Sequence, residues 1–311
     1  MMAIIRINAV GETPMLHARL RSFDDGIARL AHVSGPVVIM VHGYKYQPGN
    51  PNHCPHRHIL SLDPQHMPWR APSWPRQLGF GLGRRDEGLA VAFGWDARGT
   101  LASAQARALA AGRALAQVVR SLHAQAPARD IHIIGHSLGS EVALEALHWL
   151  PAGAVGRVIS LTGASYQSRA AAALATPAGR RAEFFNVTSR ENDAFDFMFE
   201  TLTRSPERGD RAIGQGFEAT NAVTLQLDCL DTLEHLAQMG HSIGLPERRV
   251  CHWSSYMRPG ALRLYKRLLR QPERTPLPLM QQLLPEVPAR RWSRLLSLRP
   301  QPSPMPIWQR I

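Results

Sequence analysis

The chain has 311 residues, of which 44% are hydrophobic and 19% charged, so it is long enough for one large α/β domain or two small ones. No apolar run approaches the roughly 20 residues of a membrane span, which excludes an integral membrane protein. The formal charge of +12 favours a polyanionic partner in principle, but only Lys45 and Lys266 are lysines and the arginines are scattered, so we expect no nucleic-acid partner.

The cysteines and the amino terminus give an indication of the cellular compartment. Three cysteines, Cys54, Cys229 and Cys251, are too few for a disulfide framework in a chain of this length. Residues 1–6 have no basic head and no sustained apolar core of the signal-peptide kind, so we interpret them as the start of a first strand. Both features favour a reducing compartment, and we predict a cytoplasmic protein. The sequence does not indicate the oligomeric state.

Short apolar runs of strand length alternate with helical patterns along most of the chain. The runs cover residues 37–41, 89–93, 131–134, 158–161 and 183–187. Thr100 is suited to cap a helix, and apolar residues then recur every three or four positions up to Leu122, which predicts an amphipathic helix. The alternation predicts an α/β fold with a mostly parallel central sheet flanked by helices.

Two segments depart from this alternation. Residues 45–88 contain repeated prolines, so we interpret them as an insertion after the 37–41 strand. Loops at the carboxyl ends of parallel strands build substrate pockets, and we expect this one to offer apolar side chains to an acyl or alcohol group, namely Trp69, Trp74, Leu78 and Phe80. From residue 271 onward, nine prolines and six arginines accompany two glutamates, which predicts a C-terminal tail over residues 271–311.

The most informative motif is Gly135-His136-Ser137-Leu138-Gly139, which follows a buried-strand pattern and precedes apolar residues at helical spacing. A serine on a tight strand-to-helix turn projects its hydroxyl above the sheet, and glycines on both sides keep neighbouring atoms clear. The following helix also directs its N-terminal dipole towards charge that develops near the serine. Ser137 is therefore the candidate nucleophile, and a purely structural turn is the alternative.

A second strand pattern, at residues 37–41, ends in His42-Gly43-Tyr44. With these two motifs the chain resembles the serine α/β-hydrolases of the esterase and lipase branch, over roughly residues 33–270. The resemblance implies the α/β-hydrolase fold and an oxyanion hole made by the backbone N–H groups of Tyr44 and Leu138. It also implies the chain order serine, acid, histidine. We expect His42 only to brace its turn by hydrogen bonding.

The acid is expected after the strand pattern at residues 183–187. Glu191, Asp193 and Asp196 all follow it, and we select Asp193 because a short turn separates it from the apolar run, as in the acid loop of the family. A carboxylate there would orient the catalytic imidazole. Asp196 is the reserve and Asp228 a weaker choice, while a loop acid or helix cap is the structural alternative for Asp193.

Three histidines, His235, His241 and His252, follow the acid. His235 lies inside a predicted helix over residues 231–239, which suits a surface or core residue. His252 follows a short run at residues 249–251 that could be the last strand, and it precedes the predicted last helix. The catalytic histidine of the family lies on a loop before that helix, so we predict His252 as the base, with His241 as the alternative.

The insertion also brings histidines and a thiol close together in sequence: His53, Cys54, His56, His58 and His66. Their spacing completes no tetrahedral set of the zinc kind, so we predict no metal. The glycines at positions 79, 81 and 83 neither follow a clear strand nor open a helix, so they do not indicate a phosphate loop, and we predict no cofactor.

These features predict a serine hydrolase that cleaves small-molecule carboxylic esters through an acyl-enzyme intermediate, with residues 1–270 as the catalytic domain. Acyl transfer and thioester or amide cleavage use the same triad and stay open. Two rivals belong to other classes. One is a non-catalytic binding protein with the same fold, and the other is a binder of anionic surfaces through Arg290, Arg291, Arg294 and Arg299.

Overall fold

The computed structural model describes residues 4–17, 34–65, 71–282, 284 and 290–296. Within them, eight strands form one sheet in the order β2-β1-β4-β3-β5-β6-β7-β8, and only the edge pair β1–β2 is antiparallel. The strands are β1 (Ile4–Val10), β2 (Thr13–Leu16), β3 (Val37–Val41), β4 (Leu89–Gly94), β5 (Ile131–His136), β6 (Arg157–Leu161), β7 (Glu183–Thr188) and β8 (Ala222–Gln226).

Helices follow most strands and cover both faces of the sheet. The α-helices of the described residues are α1 (Trp74–Gln77), α2 (Leu101–Gln125), α3 (Leu138–Leu147), α4 (Gln167–Leu174), α5 (Asp193–Leu202), α6 (Leu230–Gln238), α7 (Ser254–Met257), α8 (Ala261–Arg270), α9 (Leu277–Gln281) and α10 (Ser293–Leu296). Short 3-10 turns cover Pro55–Arg57, Gly179–Arg181, Arg190–Asn192, Ile213–Gln215 and Pro272–Arg274.

The core lies in two layers, one on each face of the sheet. The side chains of β3 alternate between them, with Ile39 in the layer under α2 and α3 and Val38 and Met40 in the layer under α1 and α8. A strand covered on both faces has a continuous apolar sequence, which is why the runs were visible as strands. The predicted α/β architecture with a mostly parallel sheet is confirmed.

The helix predicted after Thr100 is also confirmed, since α2 begins at Leu101 and the Thr100 hydroxyl accepts from the Ser103 N–H at 3.2 Å. The run at residues 249–251 is not a strand. Its backbone is tied to the loop after β7, because Cys251 N–H donates to Glu191 O at 2.8 Å. The last strand of the described sheet is β8.

Three side chains expected to line a pocket, Trp74, Leu78 and Phe80, lie in the core instead. Trp74 and Phe80 are fully buried and Leu78 is 1% exposed, all within the layer under α8. The physical reason is that the loop folds back on α8, where the Arg270 guanidinium lies over the Phe80 ring and donates to Leu78 O at 2.7 Å. Trp69 lies outside the described residues.

The chain after residue 270 continues to pack on the sheet. Thr275, Leu277 and Met280 are buried, and the buried Arg157 of β6 donates to Thr275 Oγ1 at 2.9 Å. The boundary at residue 270 stays a prediction. Part of the expected tail lies outside the described residues, namely 283, 285–289 and 297–311, and this part includes Arg299. None of the described helices is both long and apolar enough to cross a bilayer.

Candidate active site

Ser137 occupies the turn between β5 and α3. Its φ of 54° and ψ of −126° place a residue with a Cβ in a sparsely populated backbone region, which costs about 1–3 kcal/mol. Bonds to the loop after β6 hold the turn, since Ser137 N–H donates to Leu161 O and Ala164 N–H donates to Ser137 O, both at 3.0 Å. This strained strand-to-helix turn is the geometry that the glycine-flanked serine predicts.

Three glycines allow the backbones around Ser137 to meet. A Cβ on Gly135 would lie 2.6 Å from Gly139 O, and one on Gly139 would lie 2.5 Å from Val41 O at the end of β3. A Cβ on Gly43 would lie 2.7 Å from both His136 O and the Ser137 Cβ. The loop after β3 therefore lies directly against the serine turn, and only glycine fits at its contact point.

His42 braces this loop. Trp95 N–H donates to His42 Nε2 at 3.0 Å, so Nε2 is an acceptor and the proton is on Nδ1, which donates to Gly43 O at 2.9 Å. Burial lowers the pKa of His42 to about 4, which keeps the ring neutral. His42 thus holds the peptide between Gly43 and Tyr44 from the carbonyl side.

The same peptide presents the Tyr44 N–H on its opposite side, because a trans peptide directs its N–H and C=O in opposite directions. Within the described part of the chain, Tyr44 N–H donates to no backbone carbonyl. Leu138 is the first residue of α3, so its N–H has no acceptor inside the helix. Two backbone donors next to Ser137 are therefore available to a ligand oxygen.

His252 lies on the loop before α7, packed against the serine turn. Its ring centroid is 4.6 Å from that of His136, and its carbonyl accepts from His136 Nε2 at 3.1 Å and from Thr162 Oγ1 at 3.2 Å. Phe195 stacks on its other side at 4.6 Å. Among the described residues, no hydrogen bond joins the Ser137 hydroxyl to this ring. In unliganded sites such bonds are often long.

The residue that bonds to the imidazole is Asn192, and it is not Asp193. His252 Nδ1 lies 2.6 Å from Asn192 Oδ1. The Asp193 carboxylate accepts instead from Arg190 Nη1 at 3.3 Å and from the Trp292 N–H. The difference arises because Asn192 ends the 3-10 turn after β7 and Asp193 begins α5, so the two side chains leave the backbone in different directions.

The reserve candidates have other partners. Asp196 accepts a hydrogen bond from Asn192 Nδ2 at 2.9 Å, and Asn192 in turn bonds to the imidazole. Asp228 accepts from the backbone N–H of Arg190 at 3.0 Å. His241 follows α6, where its N–H donates to Leu236 O at 2.7 Å, and His235 is buried within α6. Of the three late histidines, the structure brings His252 to the serine turn.

Electrostatics favour a neutral His252. Burial, with the nearby His136 and Lys45 as further causes, holds its pKa well below the usual value of 6.5. Burial also lowers the pKa of His136 to about 4. A neutral His252 that donates from Nδ1 to an amide oxygen keeps a lone pair on Nε2, which is the protonation state of a general base.

Sequence reasoning missed two residues of the site, Asn192 and Thr162. Thr162 follows β6 with a φ of 40° and its hydroxyl donates to His252 O, so it fixes the histidine loop. Neither belongs to a motif, and an amide is not the residue type that a search for an acid selects. For Thr162, its place directly after a strand of a parallel sheet is an available signal, whereas Asn192 lies four residues beyond the end of β7.

Two histidines of the insertion, His56 and His58, hydrogen-bond to protein side chains. His56 Nε2 lies 2.7 Å from Asn8 Oδ1, and His58 Nδ1 lies 2.6 Å from the Tyr46 hydroxyl. Within the described ranges, which leave out His66, no group of three or more His, Cys, Asp or Glu residues is arranged to hold a metal ion.

Comparison with known proteins gives a family match. The family described as alpha/beta hydrolase of unknown function (DUF900) matches residues 27–161, a segment that holds both the Gly43 loop and the Ser137 turn. No curated protein sequence matches the chain.

Comparison with solved structures gives partial matches that include two acetylxylan esterases and one cutinase. An acetylxylan esterase determined at 0.90 Å shares 11% identity with a TM-score of 0.33, over 63% of this chain and 84% of that one. An iodinated acetylxylan esterase complex shares 13% with a TM-score of 0.30, over 48% and 81%. A Trichoderma reesei cutinase with a phosphonate inhibitor shares 17% with a TM-score of 0.25, over 45% and 61%. At these identities the likeness does not identify a substrate.

Proposed function

We propose that this chain, a member of the α/β-hydrolase superfamily, hydrolyses small-molecule carboxylic esters through an acyl-enzyme intermediate on Ser137. The observation that carries the proposal is the strained backbone of Ser137, with φ at 54°. The loop after β3 lies so close to this turn that no Cβ fits at Gly43. Strain of this kind persists where the surrounding structure enforces it, and in a strand-to-helix turn it directs the serine hydroxyl away from the sheet. Ser137 as a whole is 4% exposed.

In the first half-reaction, Ser137 Oγ attacks the ester carbonyl carbon while His252 Nε2 takes the hydroxyl proton. The tetrahedral oxyanion accepts hydrogen bonds from the N–H groups of Tyr44 and Leu138. His252 then gives its proton to the departing alcohol oxygen as the carbon–oxygen bond breaks. In the second half-reaction a water molecule repeats these steps and releases the carboxylic acid.

Asn192 has the role of orienting the base. Its amide oxygen accepts from His252 Nδ1 at 2.6 Å, which selects the tautomer with a free Nε2. An amide fixes this tautomer as a carboxylate does, but it carries no charge to stabilise the imidazolium. Asp193, engaged by Arg190, has no part in this arrangement.

The test is a panel of chromogenic esters of increasing acyl length, assayed with the wild type and with Ser137→Ala. We expect hydrolysis by the wild type to fall by orders of magnitude in the variant, because the members of such a site act as one unit. Both proteins must show the same far-UV circular dichroism and thermal midpoint. Hydrolysis that survives the substitution, or a wild type inactive on every ester, would contradict the proposal.

A further inference from the structure

A chain of two hydrogen bonds runs from His252 into the protein interior. Asn192 Oδ1 meets His252 Nδ1 at 2.6 Å, and Asn192 Nδ2 donates to Asp196 Oδ1 at 2.9 Å. Asn192 and Asp196 are each 2% exposed, so water does not compete for either bond. The buried carboxyl of Asp196 therefore contacts the base through one amide group.

An amide at this position has two possible orientations with opposite consequences. With Oδ1 towards the ring, His252 carries its proton on Nδ1 and keeps a lone pair on Nε2. With Nδ2 towards the ring, Nδ1 has to accept, the proton moves to Nε2, and the ring cannot take a proton from Ser137. The group that binds the end of the Asn192 amide away from the ring therefore determines the tautomer of His252.

We propose that Asp196 is a positioning residue of this site, whose carboxyl binds the Nδ2 end of Asn192 and so holds Oδ1 towards His252. The proposal rests on the proposed function in that it assigns His252 as the base. An ionised carboxyl accepts and cannot donate, so it selects one of the two amide orientations, whereas a protonated carboxyl can also donate and selects neither.

The position of Asp196 is itself tightly set. The backbone of Gly214 lies against its carboxyl group, where a Cβ would overlap both carboxyl oxygens, and Gln215 Nε2 lies 3.5 Å from Oδ2. Asp193 and Glu200 face it with negative charge, and Arg190 and Arg291 with positive charge. These contacts leave the carboxyl little freedom to rotate away from Asn192.

The protonation of Asp196 adds a pH dependence. Burial, followed by the nearby Asp193, raises its pKa to about 8, so it ionises in the weakly alkaline range. The ionised carboxyl is the stronger acceptor for Asn192 Nδ2, and it adds negative charge at a distance of two hydrogen bonds from the imidazole. Ionisation should therefore increase kcat/KM, with an inflection near pH 8 that depends on Asp196.

The test is a double-mutant cycle on kcat for a chromogenic ester, with Asp196→Ala and Asn192→Ala alone and combined. If Asp196 acts through Asn192, then above pH 8, where it is ionised, Asp196→Ala lowers kcat by about tenfold or more in the wild type and by less than about twofold when Asn192 is already alanine. Asp196→Asn keeps an acceptor oxygen but adds an NH2 donor that can hold either amide orientation, so it should lower kcat and lose the inflection near pH 8. Glu234→Ala is the control, an exposed acid of α6 that is not among the charges facing Asp196. It should act equally in both backgrounds.

A second measurement does not depend on catalysis. The Nδ1 proton of His252, assigned by its loss in His252→Gln, should give a downfield NMR signal in the wild type that disappears in Asp196→Ala and persists in Glu234→Ala. An equal effect of Asp196→Ala on kcat in both backgrounds, or an unchanged His252 signal, overturns the inference. If the wild type hydrolyses no ester, the proposed function fails, and the NMR signal alone then decides whether Asp196 fixes the tautomer.

Discussion

The Oδ1 atom of Asn192 lies 2.6 Å from the Nδ1 atom of His252, and the carboxylate of the next residue, Asp193, does not contact this ring. We therefore expect Asn192→Ala to lower kcat/KM by about 10²-fold or more, because the imidazole loses the group that selects its tautomer. Asp193→Asn should lower the thermal midpoint, since it weakens the buried pair with Arg190, and change kcat/KM by less than about threefold. Steady-state kinetics and thermal melts of both variants check this, and the reverse order of effects on kcat/KM would restore Asp193 as the orienting residue.

The contact between the Gly43 loop and Ser137 gives a steric prediction. In Gly43→Ala the new methyl group would meet the Ser137 Cβ and His136 O at 2.7 Å, so the loop has to move and the Tyr44 N–H moves with it. Loss of one oxyanion donor typically costs about 10²–10³-fold in kcat, and we expect an effect of that size with little change in KM. Gly209→Ala, at a positive φ with open space around it, is the control and should leave kcat unchanged. Full activity in Gly43→Ala would show that this loop does not form the oxyanion hole.

The charge of Lys45 gives a prediction about pH. Lys45 is among the causes that lower the pKa of His252, so Lys45→Met should raise that pKa. Because catalysis needs the neutral imidazole, the acid limb of the kcat/KM profile should move to higher pH. Lys266→Met removes the other lysine, whose side chain lies against Gly79, and should leave the limb in place. Equal shifts in the two variants, or no shift in Lys45→Met, would contradict the assignment of the limb to His252.

The packing after residue 270 gives a prediction about stability. A chain ending at residue 270 loses the burial of Leu277 and Met280, each worth about 1.5–3 kcal/mol, and leaves Arg157 without Thr275. It should melt well below a chain ending at residue 282. Scanning calorimetry of the two chains makes the comparison, and coincident midpoints would place the domain boundary at residue 270 after all.

The sheet and the serine turn were predictable because each leaves a local signature. β3 and β5 are covered on both faces, so their sequences are continuous apolar runs, and the glycines around Ser137 are required by backbone contacts shorter than any Cβ allows. The position of His252 next to the serine turn was predictable from its place before the long helix α8, while its role as the base stays a prediction. Each of these features depends on residues close together in sequence, or on the order of motifs along the chain that the α/β-hydrolases have in common.

The hydrogen-bond partner of His252 and the burial of the insertion side chains were not predictable on the same grounds. Whether Asn192 or Asp193 faces the ring depends on where the 3-10 turn passes into α5, which a run of polar residues does not reveal. Likewise, the sequence indicates that Trp74 and Phe80 are apolar, but it does not indicate whether they lie in a pocket or in the core. Their burial in the core depends on a loop that folds back on α8, a contact between residues far apart in sequence.

Covalent labelling of Ser137 tests the central claim most directly. The wild type is treated with a fluorophosphonate, digested, and the modified peptide located by mass spectrometry, with His252→Gln treated in parallel. We expect stoichiometric phosphonylation at Ser137 in the wild type and a rate slower by orders of magnitude in His252→Gln. No adduct at Ser137, or equal labelling rates in the two proteins, would contradict a serine activated by this histidine.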